Sequence, residues 1–208
     1  MEKIILDSNS YKSVFLLRDS LCKILTPIIK SKKSVVFLSI GTDRSTGDSL
    51  GPLIGDRLKS LKRDGVYFYG SLENPVHAKN LKETLKFINK EHNKPFIIAI
   101  DASLGCIQNI GKIYLENKPI CPGSALNKNL PKVGNYSITG IVNISGTLDF
   151  MVLQNTRLYT VMKLADIIYK GIYHSLLEIY GNKYKNNSPE KKYISLESLK
   201  KDLKENLV

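Results

Sequence analysis

Apolar residues fall in two rhythms along this chain, short unbroken runs and stripes at helical spacing, and the two alternate. Within residues 11–30, Val14, Leu16, Leu17, Leu21, Ile24, Leu25 and Ile28 form a helical stripe ending near Pro27. Ser34 to Ile40 is a continuous apolar strand, the kind buried on both faces of a mainly parallel sheet. Leu50, Leu53, Ile54, Leu58 and Leu61 return to helical spacing, with Pro52 in the first turn, where a missing N–H leaves nothing unsatisfied. Val66 to Ser71 predicts a second strand, His77 to Glu91 a helix, and Phe96 to Ile100 a third strand. Ile110 to Leu115 predicts a fourth, exposed and open to antiparallel pairing. The loop Glu116 to Gly134 is too long for a simple connector and is expected to be functional or mobile. Tyr136 to Ile144 predicts the last strand, and Phe150 to Asn182 a single long helix capped at Gly181-Asn182.

This order predicts an α/β protein, a three-layer αβα domain with a mainly parallel mixed sheet, phosphorylase/hydrolase-like in architecture. Residues 1–182 are expected to form that single domain. Residues 183–208 read as a polar linker and a short amphipathic helix through Leu196, Leu199, Leu203 and Leu207.

In such a fold ligands bind beyond the carboxyl ends of the strands. Two aspartates are predicted there: Asp48, in Gly41-Thr42-Asp43-Arg44-Ser45-Thr46-Gly47-Asp48-Ser49-Leu50-Gly51-Pro52, and Asp101, in Phe96-Ile97-Ile98-Ala99-Ile100-Asp101. Each has an ordinary explanation, Asp48 as a helix N-cap and Asp101 as a strand-end turn. Together at one edge they fit a pair that shares a proton and hydrolyses an amide, or one that clamps a divalent metal. His77, just after the second strand, is a candidate third ligand or base. A phosphate-binding loop is excluded, because Gly41 and Gly47 bracket five residues and Asp48 stands where the lysine should be. Ser124 lacks a nucleophile elbow, and Cys121 lacks a base nearby in sequence.

Composition narrows this further. The net charge of +12 over 208 residues suits an acidic partner. The lysines are scattered, however, with no basic run interleaved with aromatics, so nucleic acid is not expected to be the partner. The apolar runs are far too short to cross a membrane. Met1 to Asp7 is too short and too soon acidic for a secretory leader, so the cytoplasm is expected. The three cysteines, Cys22, Cys106 and Cys121, form no CxxC pair and read as free, mostly buried thiols.

The Gly41–Pro52 and Ile98–Gly105 segments resemble the YyaC family of sporulation proteins. So do Glu73-Asn74-Pro75-Val76-His77-Ala78, Gly140-Ile141-Val142-Asn143 and Val152-Leu153-Gln154-Asn155-Thr156-Arg157-Leu158. The likeness spans about residues 34–175. That family is similar to the germination protease of bacterial spores and, more distantly, to hydrogenase-maturation endopeptidases. The resemblance implies a spore protease of the forespore or spore core, with Asp48 and Asp101 as the catalytic pair. Cys121-Pro122-Gly123-Ser124 resembles a His-Pro-Gly-Ser element of the germination protease, with cysteine in the first place. The maturation enzymes' metal-binding histidine has no equivalent here, since His77 precedes Asp101.

The expected function is therefore a sporulation-associated peptidase. Arg44, Ser49, His77, Pro122, Gly123 and Ser124 are expected to bind a protein or peptide substrate. No cofactor is expected, a divalent metal at Asp48 and Asp101 being the alternative. Self-association is left open. The rival readings are a non-catalytic sporulation factor that binds a protein partner through the same cleft, and a metal-dependent maturation endopeptidase.

Overall fold

A computed structural model describes residues 3–122 and 130–185. Six strands form one sheet: β1 (Ile4–Asp7), β2 (Val35–Ser39), β3 (Val66–Tyr69), β4 (Phe96–Gly105), β5 (Lys112–Glu116) and β6 (Tyr136–Ile144). Their spatial order is β1-β5-β6-β4-β2-β3. The pairs β2–β3, β2–β4 and β4–β6 are parallel, whereas β1–β5 and β5–β6 are antiparallel. The expected α/β, mainly parallel mixed sheet is what forms.

Helices cover both faces. On one side α1 (Lys12–Lys30), α2 (Leu50–Leu58) and α5 (Leu158–Lys185) bury Leu17, Leu21, Ile54, Leu164 and Ile168 against Phe37, Ile98, Ile100 and Ile138. On the other, α3 (Leu81–His92) packs Leu81 and Ile88 on Val36, Leu38, Ile97 and Ala99. Alternate residues of β2 and β4 serve opposite faces, which is why both strands read as unbroken apolar runs. Leu17 is fully buried and meets α5 where Gly171 leaves room; a Cβ there would lie 2.6 Å from the Leu17 Cδ2. Leu17→Ala is expected to cost about 3 kcal/mol, read from urea denaturation. A loss below about 1 kcal/mol would mean that this seam closes over the cavity.

Several elements differ from the sequence reading. A strand at Ile4–Asp7 was not expected. It pairs with β5, so β5 is internal, with Ile113 and Leu115 buried rather than exposed. α1 continues through Pro27 to Lys30, and the Pro27 carbonyl accepts the N–H of Ser31 beyond the helix end. The single helix expected from Phe150 is two, α4 (Asp149–Gln154) and α5, broken at Asn155-Thr156-Arg157. The break follows from Thr156, whose hydroxyl donates to the Val152 carbonyl and accepts from the Asn143 amide. The C-cap expected at Gly181-Asn182 is absent, as α5 runs to Lys185. The helix expected at 195–208 lies outside the described residues. The cysteines are free, but Cys106 and Cys121 are exposed rather than buried.

Candidate active site

From β2 the chain passes through α2 to β3 at the sheet edge, then returns through α3 to β4 on the other side of β2. Strand order reverses between β2 and β4, and an open α/β sheet has its ligand crevice at such a point. Asp48 follows β2 and Asp101 lies within β4, so both arrive there.

β2 ends because its partners change. Ile40 donates its N–H to the Ile100 carbonyl at 2.7 Å, and Gly41 then donates to the Val76 carbonyl at 2.8 Å. Gly41 has φ +141°, and a Cβ on it would stand 2.0 Å from the Asp48 carbonyl oxygen. Only glycine lets the loop close that tightly. The loop folds back so that Thr42 donates to the Asp48 carbonyl, and a 3₁₀ turn at Gly47–Ser49 leads into α2. Gly47 sits under α4, where its Cβ would be 2.9 Å from the Thr156 hydroxyl.

The carboxyl of Asp48 is half-buried and accepts no hydrogen bond from a described residue. It is therefore not the helix cap that the sequence allowed. Burial raises its pKa, and nearby His77 pulls it part-way back. His77 is set by a tight turn in which its N–H donates to the Asn80 side chain. Its Nδ1 is buried without a hydrogen-bond partner.

Asp101 is buried, 9% exposed. It lies inside β4, not past its end, because β4 continues to Gly105 against β6. One oxygen, Oδ1, accepts the N–H of Ala102 at 2.9 Å. Burial first, and then the Asp48 charge, push its pKa well above the ordinary carboxylate range, against the smaller pull of that N–H. The two carboxyls thus interact and titrate as a pair, each pushed upward by burial.

The other expected residues are placed unevenly. Arg44 is exposed in the Asp48 loop, with no ion-pair partner among the described residues. Ser49 is buried and its hydroxyl donates to the Thr46 carbonyl, bracing the turn. Pro122 is buried just after the Ile120–Val133 bridge, while Gly123 and Ser124 lie outside the described residues. Thr156, in the break between α4 and α5, packs on Gly47 and accepts a hydrogen bond from Asn143 of β6, and the sequence reading assigns neither residue a role. A polar triplet interrupting an apolar helical stripe was the available signal.

Among the described residues no three His, Cys, Asp or Glu side chains are grouped so as to hold a metal ion. No helix among them is long and apolar enough to cross a membrane.

Fold and site together define an α/β protein with an interacting carboxyl pair, Asp101 buried and Asp48 half-buried, at the switch point of its sheet. Residues 5–171 match the family described as Protein of unknown function (DUF1256), and the chain belongs to that family. It is similar to the protein titled Uncharacterized protein YyaC of Bacillus subtilis (strain 168), with 47% identity over 140 residues, 67% of this chain and 68% of that one. Among solved structures it is similar to the NiFe hydrogenase maturation protease HycI from Thermococcus kodakarensis KOD1. That likeness has 18% identity and a TM-score of 0.35, over 70% of this chain and 98% of the other.

Proposed function

We propose that this protein is a sporulation-associated peptidase of the forespore or spore core, hydrolysing a peptide bond with Asp48 and Asp101 around one water. The observation that carries this reading is a buried Asp101 at the switch point of the sheet, near enough to Asp48 to feel its charge. Burial and the Asp48 charge push the Asp101 pKa well above the ordinary carboxylate range, while the half-buried Asp48 is raised by burial and pulled part-way back by His77. Two environments that push neighbouring carboxyls apart assign one as acid and the other as base. The resemblance to the spore germination protease supports peptide as substrate and the spore as setting.

In this mechanism the Asp48 carboxylate takes a proton from water, and the oxygen attacks the scissile carbonyl carbon. Asp101 gives its proton to the carbonyl oxygen, leaving a neutral gem-diol. As the C–N bond breaks, Asp48 passes its proton to the departing amine, and Asp101 recovers one from a gem-diol hydroxyl. Atoms and charge balance without a cofactor, and both aspartates return to their starting state. Arg44 at the mouth and His77 beside Asp48 hold and orient the chain being cut.

Proteins extracted from bacterial spores, incubated with the purified protein, are expected to yield new termini by mass spectrometry. Asp48→Asn is expected to slow their formation by about 10²-fold or more. The rate rises with pH as Asp48 loses its proton and falls as Asp101 loses its own. Because both pKa values are raised, the optimum lies above the ordinary carboxylate range of about 4. An identical set of termini, formed at the same rate by the variant, overturns the proposal.

A further inference from the structure

β2 pairs with β4 only as far as Ser39 opposite Ile100, with one more bond from the Ile40 N–H to the Ile100 carbonyl. β4 then continues through Asp101, Ala102, Ser103, Leu104 and Gly105, and beyond that point its one strand partner among the described residues is β6. Backbone groups alternate between the two edges of a strand. Since the Ile100 carbonyl faces β2, the backbone groups of Ala102 and Leu104 face the same side, where β2 has turned away. The Ala102 N–H on that edge is taken by Asp101 Oδ1. The acidic residue thus sits at the seam where the pairing stops and the open edge begins. Ala102 to Gly105 are half-buried, with Ala102 and Leu104 packed on the core, and the Leu104 carbonyl accepts the Ser103 hydroxyl at 3.2 Å, which leaves the Leu104 N–H as the donor on that edge.

Sheet edges are commonly blunted by charged residues, proline or a covering element. Ala102-Ser103-Leu104-Gly105 carries no charge and no proline. Arg44 and Arg157 are both exposed, neither is ion-paired to a described residue, and each belongs to a segment that adjoins the Gly47–Ser49 turn. Arg44 lies in the loop that leads into this turn. Arg157 follows Thr156, whose hydroxyl packs against Gly47.

We propose that a polypeptide substrate docks as an added strand on the open edge of β4 at Ala102–Gly105, in the line β2 vacates, with acidic side chains toward Arg44 and Arg157. Strand addition draws affinity from main-chain hydrogen bonds and specificity from side chains. Here it lays a peptide bond along the seam occupied by Asp101 and facing Asp48. The occupant is an extended, acidic chain segment; a folded domain presents no free backbone to such an edge. The inference rests on the peptidase reading for its chemistry, but its docking step is measurable alone.

The probe is a ten-residue alternating Glu/Val peptide, with a twin N-methylated at every peptide bond that keeps side chains and charge but whose methyl groups keep it from lying along a strand edge. Amide exchange is followed by NMR on Asp48→Asn protein, so that nothing is cut. The unmodified peptide is expected to slow exchange of the Leu104 N–H by about tenfold or more, and the twin to leave it unchanged. Absence of slowing at millimolar peptide, or equal slowing by both, overturns strand docking. The two proposals fail separately. Slowed exchange together with a wild-type protein that cuts no spore protein upholds the docking edge and removes the peptidase. Aspartate-dependent cutting without Leu104 protection upholds the peptidase and removes the docking edge.

Discussion

Asp101→Asn is expected to lower peptide hydrolysis by about 10³-fold and, at neutral pH, to make the protein more stable. The two effects share one cause. In the unfolded chain an aspartate loses its proton near pH 4. In the folded protein burial and Asp48 keep Asp101 protonated well above that. Between the two values the unfolded state binds fewer protons than the native state, so stability falls as pH rises. Asparagine does not titrate and escapes that fall, and its Oδ1 still accepts the Ala102 N–H that Asp101 holds at 2.9 Å. A gain of about 1 kcal/mol, or roughly 3 °C in Tm, is typical when a functional site is relieved of such a group. Below about pH 3, where both states are protonated, the difference should vanish. Thermal melts of both proteins from pH 3 to 8 give the curve. A variant that is less stable at neutral pH and still active would make Asp101 a structural residue.

Much of this architecture is legible in the sequence where burial is complete. β2 and the start of β4 show as apolar runs because each is covered on both faces, and the stripe of α1 survives because one side packs on the sheet. Legibility fails where tertiary partners decide. Ile4-Ile5-Leu6 becomes a strand only because β5 lies beside it, and β5 is internal for the same reason. β4 extends past Ile100 on polar and small residues because β6 pairs with them, so Asp101 lies within a strand. The period through α4 and α5 is continuous in sequence although Phe150 and Met151 are 51% and 52% exposed, leaving the break to the hydrogen bonds of Thr156. At the site, the sequence reading puts Asp48 and Asp101 at one edge of the sheet; they do lie near enough to interact, but Asp101 does so from within β4 and not from past its end. The upward shift of both carboxyls was not legible, because it depends on how deeply each is buried. The burial of Ser49 depends likewise on a turn whose geometry no local pattern announces.

The second large effect is expected from a residue that never touches substrate. Gly41→Ala should cost about 3 kcal/mol and remove most activity, whereas Gly65→Ala should cost about 1 kcal/mol and leave activity intact. Both glycines have positive φ, +141° and +73°, so both substitutions strain the backbone. The difference is space. A Cβ at Gly65 meets nothing within 4 Å, but at Gly41 it would stand 2.0 Å from the Asp48 carbonyl oxygen and 3.0 Å from Pro52 Cδ. The obstacle is backbone, so no side-chain rotation relieves it. Either β2 or the Asp48 loop must retreat. Retreat of the loop breaks the bond from the Thr42 N–H to the Asp48 carbonyl and carries the Asp48 carboxyl away from its partner in β4. Acid–base catalysis across a shared water tolerates little displacement, about 1 Å being enough to lose 10²-fold. Urea denaturation and peptide hydrolysis on the two variants test this together. If Gly41→Ala loses no more stability than Gly65→Ala and keeps its rate, the tight turn after β2 is not what aims Asp48 at the crevice.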